Sequence, residues 1–376
     1  MRLIVPLLFM ATACVGEVHF RAQEIQRNFG IGYAVVIADV NGDHKPDIVA
    51  INPTQVVWFE NPAWEKHVIL DGGTKRDNVT IAAEDIDGDG KVDFAVGADW
   101  QSTNTLGGGS LQWIGSKTGP WKVFPLGEEP TLHRIKWGDV DGDGHPELIV
   151  APLHGRATKG PKWEDGQGSR ILVFHIPKDP VHEPWPMEVA DDSLHIVHNF
   201  IVTHLDDGED QQILTASVEG VHVLHREADG MWHKKRIGEG SPGEIKLGHV
   251  AGKRVLATVT PWHGNSIVLY EESAGLWPRK VIEESLTGGH ALGWGDFDGD
   301  GDDELAVGWR EKKGGVALYK RAADGSWKKE MVDDSGMATE DMAVADLDGD
   351  GRPEIIAVGR ATGNVKIYWN ESARKR

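Results

Sequence analysis

An acidic nine-residue motif occurs five times along this 376-residue chain. The copies are DVNGDHKPD from Asp39, DIDGDGKVD from Asp85, DVDGDGHPE from Asp139, DFDGDGDDE from Asp296 and DLDGDGRPE from Asp346. Oxygen-bearing side chains at the first, third, fifth and ninth positions surround a glycine-containing turn, which suits a hard cation such as Ca²⁺. Solvation of turns would explain one copy but not five with the same spacing. The predicted calcium ligands, up to five ions in all, are Asp39, Asn41, Asp43, Asp47, Asp85, Asp87, Asp89, Asp93, Asp139, Asp141, Asp143, Glu147, Asp296, Asp298, Asp300, Glu304, Asp346, Asp348, Asp350 and Glu354.

The motif is not an EF-hand, because its ninth residue opens an apolar run such as DIVAI or ELIVA where an EF-hand would continue to a twelfth-position acid. Two further segments keep the strand-loop-strand pattern but have His204 and His249 where the first Asp should be, so their loops have lost the complete set of cation ligands. The seven units follow one another at the spacing typical of four-stranded propeller blades. The sequence therefore predicts an all-β fold, a seven-bladed β-propeller.

Each unit contains a third apolar strand, for example QVVWFE or GVALYKR, and six units continue into a fourth strand that is predicted to begin with a tryptophan. These tryptophans are Trp64, Trp121, Trp185, Trp232, Trp277 and Trp327. The last unit ends the chain without its fourth strand. We predict that the N-terminal segment HFRAQEI, from His19, supplies it and closes the ring, so that no sheet edge remains open there.

The first thirteen residues have the pattern of a secretory signal peptide: a basic start at Arg2, an apolar stretch and a small-residue cleavage site. Residues 14–376 are then one propeller domain, expected to be exported and monomeric. The only cysteine, Cys14, directly follows the leader and resembles the lipid-acceptor residue of a bacterial lipoprotein; a periplasmic or cell-surface lipoprotein and a freely secreted protein both remain open. The formal charge of −20, with no basic stripe, excludes nucleic acid as a partner.

The acidic loops and their flanking strands resemble FG-GAP or VCBS repeats, the blade units of integrin-like propellers. The resemblance covers nearly the whole chain after the leader. It implies the fold, but not one function, because adhesion proteins, lectin-like modules and lyases share this repeat.

Function is expected at the end of the propeller opposite the acidic loops. Counting back six residues from each loop start gives one equivalent position per blade, occupied by Tyr33, Val79, His133, His198, Gly243, His290 and Glu340. Inner strands converge on the propeller axis, so these side chains are expected to meet. Imidazole and carboxylate ligands suit Zn²⁺ or another transition metal, so His133, His198, His290 and Glu340 are the predicted metal ligands.

Further candidates follow the second strands of the blades. VAPLHGR in blade three and VTPWHGN in blade five place His154 and His263 at equivalent exits, and a long insertion from Arg156 is expected to cover the mouth of the channel. The other residues expected at this mouth are Asn199, Glu244, Asn265, Arg310, Asp341 and Arg360, with Trp100, Trp262 and Trp309 available to stack on sugar rings.

The segments APLHGR, DDSLHIVHNF, TPWHGNS and GGHALGWGDFDGDG resemble the propeller domain of aldos-2-ulose dehydratase. This resemblance implies a lyase that acts on an oxidised sugar. A channel metal would polarise the ketone, and His154 or His263 would remove the α-proton. Arg310 or Arg360 would hold sugar oxygens or developing charge, and Asp341 would assist the leaving group.

A different class of function also fits the sequence. FG-GAP repeats occur in adhesion proteins, and a lipid anchor at Cys14 would hold the chain at a cell surface. The alternative is therefore a non-catalytic, calcium-stabilised module that binds carbohydrate or protein at the cell surface. Tightly held transition metal would favour the lyase, and calcium alone would favour the module.

Overall fold

The protein was analysed as a computed structural model that describes residues 18–116, 119–205, 208–311 and 313–372. The predicted signal peptide and Cys14 lie outside these residues. The described chain forms 28 β-strands and no helix, arranged as seven four-stranded antiparallel sheets. Within these ranges, no segment has the helical length and hydropathy needed to cross a membrane. The predicted seven-bladed, all-β propeller is confirmed.

The strands follow the predicted order, with four consecutive strands in each of blades one to six. The N-terminal strand and the strands of blades one to three are β1 (Phe20–Gln26), β2 (Ala34–Ala38), β3 (Asp47–Ile51), β4 (Gln55–Glu60), β5 (Glu65–Asp71), β6 (Thr80–Glu84), β7 (Asp93–Ala98), β8 (Ser110–Gly115), β9 (Lys122–Glu128), β10 (Leu132–Gly138), β11 (Glu147–Pro152), β12 (Ser169–Phe174) and β13 (Met187–Leu194). The strands of blades four to seven are β14 (Asn199–Thr203), β15 (Gln212–Ser217), β16 (Gly220–Arg226), β17 (Trp232–Gly238), β18 (Glu244–Val250), β19 (Lys253–Thr260), β20 (Ser266–Glu271), β21 (Arg279–Glu283), β22 (Gly289–Gly295), β23 (Glu304–Trp309), β24 (Gly315–Arg321), β25 (Trp327–Asp334), β26 (Thr339–Ala345), β27 (Glu354–Gly359) and β28 (Val365–Asn370).

Burial explains the composition of each strand. The second strand of every blade is apolar on both faces because it lies between neighbouring blades; β3 and β27, for example, are buried at every residue. The fourth strand lies at the outer edge of the blade and is largely exposed; in β25 the four consecutive residues 328–331 are all exposed. Apolar clusters between adjacent blades, such as Val49 with Phe94, make the core a ring around the axis.

The N-terminal strand closes the ring as predicted. Strand β1 pairs antiparallel with β28, from Phe20 opposite Asn370, and the last blade has the order β1-β28-β27-β26. Asn370 also donates a hydrogen bond from Nδ2 to the backbone oxygen of Phe297 at 2.8 Å, which ties the last blade to blade six. Pairing with β1 satisfies the backbone groups that an open edge of β28 would expose.

Candidate functional site

A pocket of about 200 Å³ lies where the inner strands begin and the second strands end, at the end of the propeller predicted to carry the function. Nine of the predicted site residues line it: His133, His290, Glu340, His154, His263, Arg310, Arg360, Trp100 and Trp262. The blade geometry therefore brings together side chains that lie far apart in the sequence.

Other predicted residues lie around the pocket but do not line it. His198 is buried directly behind the wall, with its ring 4.6 Å from that of His263. Asn199 donates to the Glu244 carboxylate next to His198, one position further along the inner strands. Asp341, at the equivalent position of blade seven, accepts a hydrogen bond from the backbone nitrogen of Val35 at 3.1 Å.

Two predicted residues lie away from the pocket. Asn265 is exposed and donates to the backbone oxygen of Glu284 at 3.1 Å. The ring of Trp309 packs in the apolar cluster of blades five and six, with the Lys329 ammonium 5.2 Å from its centroid. The structure places these two outside the group that the blades bring together.

Three histidines form the centre of the site. Ligand nitrogens of His198, His263 and His290 all lie within 4.8 Å of one another, and Nε2 of His198 is 2.7 Å from Nε2 of His263. His133 packs its ring 4.7 Å from that of His198. His133, His198 and His290, which share the position six residues before each loop, do lie close together. His263 joins them from the turn that follows β19.

Backbone hydrogen bonds fix the orientation of two of these imidazoles. His290 donates from Nδ1 to the backbone oxygen of Glu340, so its Nε2 lone pair points into the cluster. His133 donates from Nδ1 to the backbone oxygen of His198 at 2.9 Å, and its Nε2 accepts from Arg134 Nη1 at 3.1 Å. The lone pair of His290 is therefore available to a ligand, whereas that of His133 is already shared with a guanidinium.

Burial keeps the histidines neutral. It lowers the pKa of His133, His198 and His290 well below the usual 6.5, with neighbouring cationic groups adding to the effect. Burial together with the charge of Arg310 lowers the pKa of His263 to about 2. Burial alone lowers the pKa of His154 to about 4. At neutral pH each of these imidazoles therefore has a lone pair.

Glu340 is held by two arginines. Arg310 Nη1 donates to both carboxylate oxygens of Glu340, at 2.7 and 2.6 Å, and Arg360 Nη1 donates to Oε1 at 2.9 Å. The Glu340 side chain is only 5% exposed, so these charge-assisted bonds are shielded from water. Arg310 Nη2 also lies 3.0 Å from Nδ1 of His263, which links the carboxylate to the histidine cluster.

The long insertion after Arg156 covers one side of the pocket, as the sequence indicated. Trp163 from this insertion stacks on His154, with ring centroids 4.3 Å apart and planes at 17°. Nδ1 of His154 is buried and has no hydrogen-bond partner among the described residues. Trp163 and Arg134 were not predicted as site residues. Arg134 could have been found from strand periodicity, because it shares its position on β10 with Glu244 on β18 and Asp341 on β26.

The donor set at the centre fits a transition metal with a small adjustment. Zinc with nitrogen ligands at about 2.0–2.1 Å in a tetrahedron separates those nitrogens by roughly 3.3 Å. The 2.7 Å contact between His198 and His263 would have to open by a fraction of an ångström. Nδ1 of His198 has no hydrogen-bond partner among the described residues, and the nearby Glu244 carboxylate lies 4.0 Å from it.

The acidic loops lie at the opposite end of the blades. In the loop of blade three, Asp139 accepts from the backbone nitrogens of Gly142 and Gly144 at 2.8 and 2.9 Å, and Glu147 accepts from Val140 at 3.0 Å. Oxygens of Asp139, Asp141 and Asp143 lie within 4.8 Å of one another. In blade four, Gln212 replaces the ninth-position acid and its Oε1 accepts from the backbone nitrogen of Leu205 at 2.7 Å, so an amide takes the place of a carboxylate there.

Comparisons with known proteins agree with the two resemblances. Residues 108–273 match the family model of the aldos-2-ulose dehydratase β-propeller domain, and residues 25–96 and 296–357 match FG-GAP-like repeats. Aldos-2-ulose dehydratase from Phanerodontia chrysosporium is 25% identical over 235 residues. That alignment covers 53% of this chain but only 25% of the fungal protein, so the chain corresponds to about a quarter of that relative.

Solved structures share the architecture at low sequence identity. Virginiamycin B lyase from Staphylococcus aureus has a TM-score of 0.57 and 12% identity, over 94% of this chain and 99% of that one. An Agrocybe aegerita lectin that recognises non-reducing terminal N-acetylglucosamine has a TM-score of 0.54 and 13% identity, over 89% of this chain and 84% of that one. At these identities the likeness shows the fold alone.

Proposed function

We propose that this protein is a carbohydrate-active lyase that performs β-elimination on a keto-sugar or keto-glycoside. One observation carries the proposal: four histidines and three arginines line a single pocket, and much of that pocket is formed by residues 108–273, the region similar to the dehydratase propeller. A pocket with neutral bases and guanidinium donors has the groups needed to remove a proton and to stabilise the resulting anion.

His154 is the proposed base. It borders the pocket, it is neutral, and its Nδ1 is not occupied by another described residue. It would take the proton α to the ketone; the electron pair of the C–H bond would form a C=C bond, and the π pair of the carbonyl would move to the oxygen to give an enolate. The low pKa of His154 makes it a weak base in the free protein, but the enolate forms close by and its charge favours the protonated imidazole.

Arg310 and Arg360 are the proposed groups for the enolate oxygen. Both line the pocket and donate to Glu340, and each guanidinium has five N–H groups, so each retains N–H groups beyond those that bind the carboxylate. Collapse of the enolate then breaks the β C–O bond, and the departing oxygen takes up a proton. That proton would be the one His154 has accepted, which restores the base, and Asp341, deeper in the channel, is proposed to assist the departure.

Metal ions are part of the proposal. His198, His263 and His290 would hold a zinc or similar ion, with His133 and Glu340 next to them. Such an ion supplies Lewis-acid polarisation of the ketone. The acidic loops are proposed to bind calcium for stability, in an exported protein where calcium is plentiful.

The test uses the purified chain with a panel of keto-sugars and keto-glycosides, and follows loss of water or of an aglycone by mass spectrometry. We expect turnover to be lost in His154→Ala and His198→Ala. His225→Ala, on the outer part of blade four, is the matched control and should retain full activity. Fully metallated protein that leaves the whole panel unchanged would contradict the proposal, as would His154→Ala at wild-type rate.

A second function, carbohydrate binding without chemistry, is favoured by the aromatic rings at the pocket. Trp100, Trp163 and Trp262 all line it, and such rings stack on sugars in binding sites. This alternative predicts that sugars bind and are recovered intact, and that Trp262→Ala weakens binding whereas His198→Ala, with the metal removed, leaves it unchanged.

A further inference from the structure

The pocket has a charge opposite to that of the whole protein. Its lining contains three guanidinium groups, Arg134, Arg310 and Arg360, and one carboxylate, Glu340. The remaining lining residues are aromatic, aliphatic, hydroxyl or imidazole groups. With the histidines neutral, the lining has two positive charges in excess, in a chain whose formal charge is −20.

Nearby charges deeper in the channel do not cancel this excess. At the two levels beneath the pocket, the inner strands carry Glu244 and Asp341 together with Lys136 and Lys246. These two carboxylates and two ammonium groups balance one another, so they add no net charge beneath the pocket. The charges deeper in the channel therefore leave the net positive charge of the pocket unchanged.

Of the three arginines in the pocket, Arg134 is the one whose guanidinium has no carboxylate partner among the described residues. Its Nη1 donates to the backbone oxygen of His133 at 3.0 Å and lies 3.1 Å from Nε2 of the same residue. No carboxylate among the described residues lies within 4 Å of its guanidinium, in contrast to Arg310 and Arg360. Its remaining N–H groups form a planar fork that matches a carboxylate or phosphate.

We infer that this pocket binds an anionic sugar, whose carboxylate or phosphate is received by Arg134. The inference rests on the proposed function for the sugar part of the ligand, whereas the charge argument is independent of it. Trp100 and Trp262 offer faces for the ring of the sugar, and the pocket of about 200 Å³ accommodates a small ligand.

The experiment is calorimetric titration of the full chain with glucuronate, glucose 6-phosphate and glucose at fixed pH and low salt. We expect at least one of the two anions to bind about 10-fold or more tightly than glucose, because a charge-assisted hydrogen bond is formed only with the anion. The preferred anion identifies the group as carboxylate or phosphate. Added salt should reduce this preference. Glucose binding as tightly as both anions would overturn the inference.

Variants separate a charge effect from a folding effect. Arg134→Gln should weaken the anion about 10- to 100-fold and leave glucose unchanged, and Arg134→Lys should keep part of the preference. Arg236→Gln, on the outer strand of blade four, is the matched control. An equal loss for anion and neutral sugar in Arg134→Gln would overturn the inference. Anion binding without turnover would support the inference of an anionic ligand and contradict the proposed lyase function. Turnover of neutral keto-sugars without anion preference would support the lyase function and contradict the inference.

A second inference concerns the acidic loop of blade six. Lys320 follows Tyr319, which is paired with Leu305, and its ammonium contacts Asp298 and lies 3.6 Å from Asp300 and 3.7 Å from Glu304. The Lys320 side chain is only 12% exposed.

At the equivalent positions, blades one, two, three and seven carry Glu60, Gly115, His175 and Trp369. We propose that the lysine ammonium replaces calcium in blade six, because both cations need the same carboxylate oxygens.

Calcium stoichiometry tests this second inference. Elemental analysis of the full chain in excess calcium should give four ions or fewer, and Lys320→Gln should gain one ion. Lys328→Gln, an exposed lysine on β25, should gain none. A count that Lys320→Gln leaves unchanged would overturn the inference, and thermal melting in calcium verifies that the variant is folded.

Discussion

Removal of calcium should make the stability of the protein fall as the pH rises. In the metal-free protein, burial raises the pKa of the ninth-position acids Asp93 and Glu354 to about 7 and of Glu147 to about 8, with neighbouring loop acids adding to the shift. The usual values of these groups are near 4, so between about pH 4 and pH 7 the folded chain holds protons that the unfolded chain has released. A group that binds more protons when folded loses its stabilising effect as pH rises through that window.

The magnitude follows from the number of protons. Each carboxyl contributes a slope of about 1.4 kcal/mol per pH unit, so three together give at most about 4 kcal/mol per unit near pH 6. Glu304 is left out of this sum because Lys320 lies 3.7 Å from its carboxylate. Calcium needs the ionised carboxylates, so it should expel these protons, abolish the slope and add about 2.7 kcal/mol per loop at 100 times its dissociation constant.

Urea unfolding of dialysed, metal-free protein at pH 5.5, 6.5 and 7.5, with and without excess calcium, measures both effects. We expect the free energy of unfolding to fall with pH only in the metal-free samples. Glu354→Gln, which mimics the protonated acid, should reduce the slope by about a third, and the exposed Glu65→Gln should not change it. Metal-free stability that is constant or rises with pH would refute the reasoning.

Two further outcomes follow from the fold. Deleting residues 18–27 removes β1 and leaves β28 as an open edge, so unfolding should become less cooperative. Circular dichroism melts and size-exclusion measurements would show this change. An unchanged melt would contradict the argument that β1 closes the ring. Gly109→Ala should destabilise the protein by more than about 2 kcal/mol, because Gly109 has φ +72° and a Cβ there would meet the backbone oxygen of Glu129 at 1.8 Å. Gly127→Ala, where a Cβ meets nothing within 4 Å, is its control in urea titrations, and similar stabilities of the two variants would refute this argument.

The architecture was predictable because it is repeated. A spacing that recurs seven times identifies blades, and the missing fourth strand of the last blade left one place for the segment at His19. The ring position was also informative, because convergence on an axis is a property of the repeat: His133, His198 and His290 do meet. Repetition thus carries information about positions that every blade shares.

Features peculiar to one blade were less predictable. His263 approaches His198 through a turn in which His263 itself has φ +55°, a conformation that the TPWHGN sequence does not reveal. Trp163 reaches His154 from an insertion without a counterpart in the other blades. Lys320 belongs to the apolar strand GVALYKR, and the sequence does not show that the fold places its ammonium among the acids of a loop.

The net charge of the chain did not predict the local charge of the pocket. The formal charge of −20 comes largely from acids concentrated in five loops at one end of the blades, where bound cations would offset them. The pocket lies at the other end and has an excess of guanidinium groups. Because salt screens charges beyond about 8–10 Å, a ligand in the pocket responds to Arg134, Arg310 and Arg360 more than to the distant loops. A net charge from which the sequence predicts no nucleic-acid partner therefore does not exclude a small anion as the ligand.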